Sequence, residues 1–322
     1  MRYGLPYMGS KNAIAKAIVD ALPAGEVFVD LFCGGCAVTH AAILSGKYKR
    51  FIINDINPQI VQLFIDAIGG KYANEKRWIS REDFFRLKDT DAYVKYCWSF
   101  GNDGHCYLYG RNIEHWKKAL HYARVLGDFS LLENDFGIKT KDAGRAAIRQ
   151  LFLSGEYKKG TQKDMERLER LQSFQSIQGL ERLQSLQNLQ NVQSLESLQS
   201  FERLQGFSGD YQAVEIPAGA VVYCDIPYDS TTKTLAKRSY CREFDTERFY
   251  NWARSVNFPV YVSEYKMPMD FKSIWSKKKV CRYSATLNGK KTTEHLFVHK
   301  RFAESATTAL QEGDLFAGME GA

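Results

Sequence analysis

The sequence predicts an α/β fold whose mostly parallel sheet ends in a C-terminal antiparallel hairpin, and three observations carry that expectation. Short apolar runs at Glu26–Asp30, Arg50–Asp55, Ala220–Cys224 and Pro259–Glu264 are bounded by Gly, Pro and polar residues, as buried parallel strands are. Helical apolar spacing lies between them, as in Asn12–Leu22 with Ile14, Ala17, Ile18, Ala21 and Leu22. Near the end, Lys279–Thr286 and His295–Lys300 flank Leu287-Asn-Gly-Lys290, the pattern of a tight hairpin.

A chain of 322 residues with 44% hydrophobic and 13% aromatic content can bury a sizeable core. No apolar run approaches the roughly 20 residues that cross a bilayer. The N-terminus, Met1–Pro6, shows no apolar segment of the secretory kind, so a cytoplasmic protein without membrane partners is expected, a monomer by default. Seven scattered cysteines, an odd number, argue for free thiols. Only Cys33-Gly-Gly-Cys36 has zinc or redox spacing. No second Cys or His pair accompanies it, so no metal site is expected. A thioredoxin-type reading of that motif leaves Lys11, Asp55 and Asp225 without a role. Net charge is +7, and residues 231–301 alone hold 16 Lys and Arg against 6 Asp and Glu, a block suited to a polyanionic partner.

In chain order, Tyr7-Met-Gly9-Ser-Lys11 opens the first helix with a cation where the helix dipole disfavours one, which suggests an anionic group for Lys11 to meet. Asp30-Leu-Phe32-Cys-Gly34-Gly35 then joins a strand to a small-residue helix through a turn that lets a ligand approach the backbone. About twenty residues further on, Asp55 closes the second strand, where this class of fold grips a ribose diol. The glycine pattern is not that of a dinucleotide site, and an adenosine ligand without phosphates fits better. Residues 71–160 read as an insertion with helices expected at 81–99, 112–125 and 142–153 around an aromatic and basic loop, Phe100–Arg111. Residues 168–207 carry a strict three-residue repeat with Leu, Phe, Ile or Val at every third place. On an α-helix that stripe drifts about 60° per repeat, and on a strand it alternates faces, so neither a simple amphipathic helix nor a coiled coil follows. Residues 303–322 hold four acids and no Lys or Arg, and read as a flexible tail.

The strand Ala220–Cys224 stops at Asp225-Ile226-Pro227-Tyr228. Residues just past a parallel strand face the ligand crevice, and here they are a carboxylate, a backbone stiffened by Pro227 and an aromatic ring. A helix follows at 245–255, with Asp245 or Thr246 near its cap.

Taken together and in this order, the motifs resemble those of the Dam-like DNA adenine-N6 methyltransferases over roughly residues 1–70 and 210–301. Tyr7–Lys11 looks like that family's first motif, Asp30–Gly35 like its methyl-donor motif, Asn54–Asn57 like its ribose-binding acid and Asp225–Tyr228 like its catalytic D-P-P-Y. The resemblance implies a Rossmann-like methyltransferase sheet with an inserted helical recognition subdomain, S-adenosylmethionine as cofactor and double-stranded DNA as partner, in a phage or restriction-modification setting. It implies Tyr7, Gly9, Lys11, Asp30, Phe32, Gly34, Gly35, Asp55 and Ile56 at the donor. Asp225 and the Ile226 carbonyl would accept the hydrogens of an adenine amine, Pro227 would hold them in place, and Tyr228 would stack on the flipped base. The expected division is a catalytic domain at 1–70 and 210–302, target recognition at 71–160, the repeat at 161–209 and the tail at 303–322. Two positions depart from the family: Ile226 replaces its first Pro, and Cys36 stands where a further Gly is usual. An RNA or protein-amide methyltransferase, or a DNA-binding relative without catalysis, would share part of this pattern.

Overall fold

The computed structural model describes residues 2–136, 184–198, 203–227, 244–281 and 290–306. One sheet holds seven strands: β1 (Val27–Asp30), β2 (Arg50–Asp55), β3 (Leu204–Ser208), β4 (Val221–Cys224), β5 (Val260–Glu264), β6 (Phe271–Cys281) and β7 (Lys290–His299). Their spatial order is β3-β2-β1-β4-β5-β7-β6. The first five pair in parallel, and β7 runs antiparallel between β5 and β6. This is the Rossmann-like arrangement, mostly parallel with a closing antiparallel pair, that the apolar runs predict. The hairpin turn itself, 282–289, lies outside the described residues, as do the expected helix at 142–153 and the loop at 231–240.

Among the described residues the helices are α1 (Ala15–Asp20), α2 (Ala37–Ser45), α3 (Pro58–Ile68), α4 (Arg81–Leu87), α5 (Ala92–Cys97), α6 (Glu114–His121), α7 (Ser130–Phe136), α8 (Gln184–Ser194) and α9 (Thr246–Ser255). Helices cover both faces of the sheet, which is why β1 is buried at every position. Phe28 points into a core with Ile18, Leu22, Val38 and Ala42, whereas Val27 and Val29 point to the other, shared with Phe249 and Ala253 of α9. Local chemistry sets the helix starts. Asn57 caps α3, its side chain accepting from Gln59 N with Pro58 at the first turn, and Asp245 caps α9 by accepting from Arg248 N. The single helix expected at 81–99 is two, because Ser80 and Asp91 each cap a new start. The one expected at 112–125 ends as α6 and continues in a π-turn at Tyr122–Leu126.

Two compact units result: residues 1–5, 9–69 and 195–322 form one, and residues 6–8 and 70–194 the other. The second unit has an aromatic centre in which Trp78 stacks parallel to Tyr109 at 5.8 Å and packs edge-on to Trp98 and His121. Its loop at 100–107 is a short hairpin, with a bridge between Ser99 and Tyr107 and a bond from Phe100 N to Cys106 O at 2.8 Å.

The described parts of the three-residue repeat adopt three conformations. Residues 184–194 form α8, Leu195–Leu198 a 3-10 turn, whose three residues per turn match the repeat, and Leu204–Ser208 the edge strand β3. On α8 the drift of the apolar stripe is visible in what is buried. Leu189 and Val192 face inward, but one turn earlier the inward positions fall to Ser185 and Asn188. Both are satisfied there: Ser185 Oγ accepts from Tyr109 OH at 2.9 Å, and Asn188 Nδ2 donates to Cys97 O at 2.6 Å. At the other end of the chain, a helical turn carries Ala303 and Ala306 into the core, so the packed chain extends past 302 into the stretch read as tail; residues 307–322 lie outside the described residues.

Candidate active site

The chain leaves β1 toward β2 on one side and reaches β4 and β5 on the other, so the sheet order reverses between β1 and β4. A crevice opens at such a switch point, past the carboxyl ends of the strands. Asp30 and Tyr223 pair across it, and Leu31 N donates to Tyr223 O at 3.1 Å. The turn Phe32–Gly35 and the segment Asp225–Pro227 therefore leave the sheet side by side.

The turn after β1 is tight. Cys36 N donates to Cys33 O at 2.6 Å, Gly34 takes φ +45°, and Cys36, the residue that starts α2, takes the left-handed φ of 55°. A further Gly at position 36 would suit that conformation; here a fully buried Cys adopts it at a conformational cost. Burial pushes the thiols of Cys33 and Cys36 upward, so both are poor nucleophiles, against a redox role for the pair. Asp55 fixes the turn from β2: Oδ2 accepts from Gly34 N at 2.8 Å and Oδ1 from Asn57 N at 3.0 Å. Burial raises its pKa against those two bonds. A carboxylate has about four acceptor positions, so hydroxyl groups can still bind there. Beside it Ile56 is 62% exposed, an apolar side chain left at the mouth of the crevice. From below, Leu5 N donates to Gly35 O at 2.7 Å and Gly4 N to His40 Nδ1 at 2.9 Å. Burial lowers the pKa of His40 to about 4, so the ring is neutral and Nδ1 accepts at ordinary pH. Replacing Asp55 by Ala removes the acceptor for Gly34 N, which tests the donor role that the resemblance implies for it: S-adenosylmethionine affinity by calorimetry is expected to fall at least about tenfold, and an unchanged dissociation constant would refute that role.

The β4 end carries the second half. Asp225 Oδ1 accepts from Lys11 Nζ at 2.6 Å. Lys11, 3% exposed, also lies 3.5 Å from Glu294 Oε1 on β7. The anionic group expected opposite Lys11 is thus a pair of the chain's own carboxylates. Ile226 is buried in the apolar core that includes Phe249 and Met267, so the position that departs from D-P-P-Y is a packing position which Ile fills, with its carbonyl retained. Tyr228 lies outside the described residues.

The remaining expected site residues are placed as follows. Tyr7 belongs to the second unit and packs its ring on Tyr96 at 5.4 Å, whereas Gly9 and Lys11 belong to the first. Phe32 is ringed by Tyr211, Phe244 and Phe249 at 5.2–5.7 Å. Asp30 turns toward α2, where its Oδ2 accepts from Thr39 Oγ1 at 2.7 Å. Two acids escaped the sequence reading. Glu264 ends β5 as Asp225 follows β4, and the rule that singles out Asp225 would have found it. Glu294 sits within an antiparallel strand among Thr, His and Lys, where nothing in the sequence marks it. Among the described residues no group of three His, Cys, Asp or Glu side chains could hold a metal ion.

Buried acids make this region sensitive to pH. Burial pushes Asp30 up to about 7, opposed by its bond from Thr39, and pushes Glu264 up to about 8, assisted by the charges of Asp225 and Glu294. Both folded pKa values exceed the unfolded ones, so the stability these groups contribute is complete below about pH 4 and is lost as pH rises through 7 and 8. Thermal stability should therefore fall between about pH 4 and 8 and level off above that. Asp30→Asn keeps an acceptor for Thr39 and should flatten that fall by an amount on the order of a few kcal/mol. An unaltered slope in the variant would count against the assignment.

Comparison with known proteins bears on what such a crevice serves. Residues 7–284 match the family model described as D12 class N6 adenine-specific DNA methyltransferase. The chain is also similar to the retron Ec67 DNA adenine methylase of Escherichia coli, 35% identical over 60 residues, which are 19% of this chain and 20% of that protein. The aligned segment thus spans about a fifth of that relative's length.

Proposed function

The chain belongs to the D12 class of N6 adenine-specific DNA methyltransferases, and from that premise we propose that it moves a methyl group from S-adenosylmethionine to the exocyclic amine of an adenine flipped out of double-stranded DNA. The observation that carries the reading is the juxtaposition at the switch point: the Gly34–Gly35 turn, held by Asp55, beside Asp225, held by Lys11. A nucleoside with a sulfonium-linked amino acid would fit the first half. Asp55 would accept from ribose hydroxyls, Ile56 would cover the adenine face, and the turn Phe32–Gly35 would let the backbone come close. S-adenosylmethionine supplies, when bound, a methyl already activated on a positively charged sulfur.

What remains for the protein is the nucleophile. The adenine amine is weak because its lone pair is delocalised into the ring. Asp225 and the Ile226 carbonyl would accept its two hydrogens and draw the nitrogen toward tetrahedral geometry, so positioning and polarisation supply the acceleration. Lys11 orients the carboxylate from the protein side. Phosphate contacts would come from the basic β6–β7 region, where Lys272, Lys277 and Lys278 are exposed, and base contacts from the 71–160 insertion. No described helix is long and apolar enough to cross a membrane.

The test is methyl incorporation from labelled S-adenosylmethionine into DNA, RNA and protein offered in parallel, followed by mapping of methylated bases. Label in N6-methyladenine of duplex DNA is expected; label confined to RNA or to protein amides would move the substrate assignment.

A further inference from the structure

We propose that Glu294 is a positioning residue for methyl transfer, fixing the Lys11 ammonium against the Asp225 carboxylate. The inference rests on the reading of Asp225 as the acceptor for the target amine.

Three side chains form a line from the interior to the crevice. Glu294 is fully buried, Lys11 is 3% exposed, and the Asp225 side chain is 22% exposed. Lys11 Nζ stands between the two acids, 2.6 Å from Asp225 Oδ1 and 3.5 Å from Glu294 Oε1. The two contacts differ in kind. The shorter is a charge-assisted hydrogen bond, just under the roughly 2.7–2.9 Å such bonds usually take, and the longer is an ion contact that bears on where the cation sits. Asp225 lies on the side open to substrate, and Glu294 closes the other end.

Topology explains why an acid is needed on β7. Lys11 arrives on a loop before α1 and ends in a flexible four-carbon stem with three equivalent donors, which alone does not fix a direction. β7 is held on both sides, by β5 and by β6, with Glu294 in register with Lys277. A carboxylate on so rigid an element gives the ammonium a second fixed point, and burying it without a cation would be strongly unfavourable. The surroundings add acid: Glu264 on β5 interacts with Asp225, Glu294 and Lys11 together. The Lys11 ammonium therefore faces more than one carboxylate, and its position decides which oxygen of Asp225 it occupies. Without Glu294 the ammonium can shift along Asp225 and turn the carboxylate away from the direction in which the amine must approach.

The experiment is a double-mutant cycle on the full chain, with Glu294→Gln, Lys11→Met and the pair, read by kcat and KM for DNA and donor, donor affinity by calorimetry, and thermal melting. Glu294→Gln is expected to lower kcat about a hundredfold. KM values and donor affinity should stay within about twofold, which marks a loss felt only in the transition state. Because Glu294 acts through Lys11, adding Glu294→Gln to Lys11→Met should lower kcat no further. Glu294→Asp keeps the charge one methylene farther back and should recover part of the rate, which a purely steric role would not; it also carries the test if the Gln variant melts early. Rates for Glu294→Gln within about twofold of the parent, losses that multiply in the double variant, or an Asp variant no better than Gln would each overturn the proposal. A parent chain that binds donor yet methylates no nucleic acid would instead overturn the reading of Asp225.

Discussion

Asp225→Ala should lower methyl transfer to DNA by at least about a thousandfold, the scale on which removal of a preorganised hydrogen-bonding partner acts, with donor affinity unchanged. The geometry says why the variant should still fold. The cation that Asp225 holds, Lys11, keeps its contact with Glu294, so no buried charge is stranded. The proposed donor side of the crevice is built from other elements, with Asp55 bonded to Gly34 on the far side of β1. Labelled-donor incorporation, thermal melting and calorimetry together check the prediction. Activity above a few per cent of the parent, in a folded variant, would remove Asp225 from the chemistry.

Gly4→Ala is the second change with a large expected effect, and it touches no motif. A Cβ on Gly4 would lie 2.3 Å from Gly35 O, 2.7 Å from Ala37 N and 2.8 Å from Ala37 Cα, all of them backbone atoms. No side chain can swing aside to make room. Gly4 also takes φ +67°, which a substituted residue adopts only with strain. We expect a loss of about 2–4 kcal/mol in stability from the overlap and the strain combined. The displaced backbone belongs to the turn proposed to hold the donor, so donor affinity should fall as well, by at least about tenfold. Gly46→Ala is the comparison: φ is +70°, but no atom lies within 4 Å, so strain alone acts, at about 1 kcal/mol. Equal effects of the two substitutions on stability and on donor binding would show that Gly4 is not packed on the turn.

Much of this was legible in the sequence because parallel strands buried on both faces are nearly continuous apolar runs, and the residues that end them stand out. Four of the five parallel strands announce themselves in this way, and with them Asp30, Asp55 and Asp225. β3 does not. It is an edge strand with exposed residues drawn from the repeat, and its place beside β2 is set by pairing rather than by composition. The helices at 81–87 and 92–97 look like one in the sequence because periodicity carries across a break, whereas the Asp91 cap that divides them is a matter of one side chain and one N–H. In the site, the partners of Lys11 were hidden for a related reason. A Lys at a helix start says that an anion is near, but not that the anion is 214 residues away in sequence on Asp225, or on a strand that enters the sheet from the opposite direction. The fate of Ile226 likewise needed the fold, since only the packing of Phe249 and Met267 shows that its side chain belongs to the core.

The winding stripe on α8 bears on how the repeat can change over generations. A run of near-identical triplets is the kind of sequence that gains and loses whole units by slippage during copying. A triplet added within Gln184–Ser194 moves each residue after it three places along the chain, but the repeat puts the same kind of residue back, so Leu or Val still stands at the inward positions 189 and 192. The cost falls on the connection that follows α8, which must take up three more residues before β3. Within this segment, single-unit length variants should therefore keep the α8 packing and melt close to the parent.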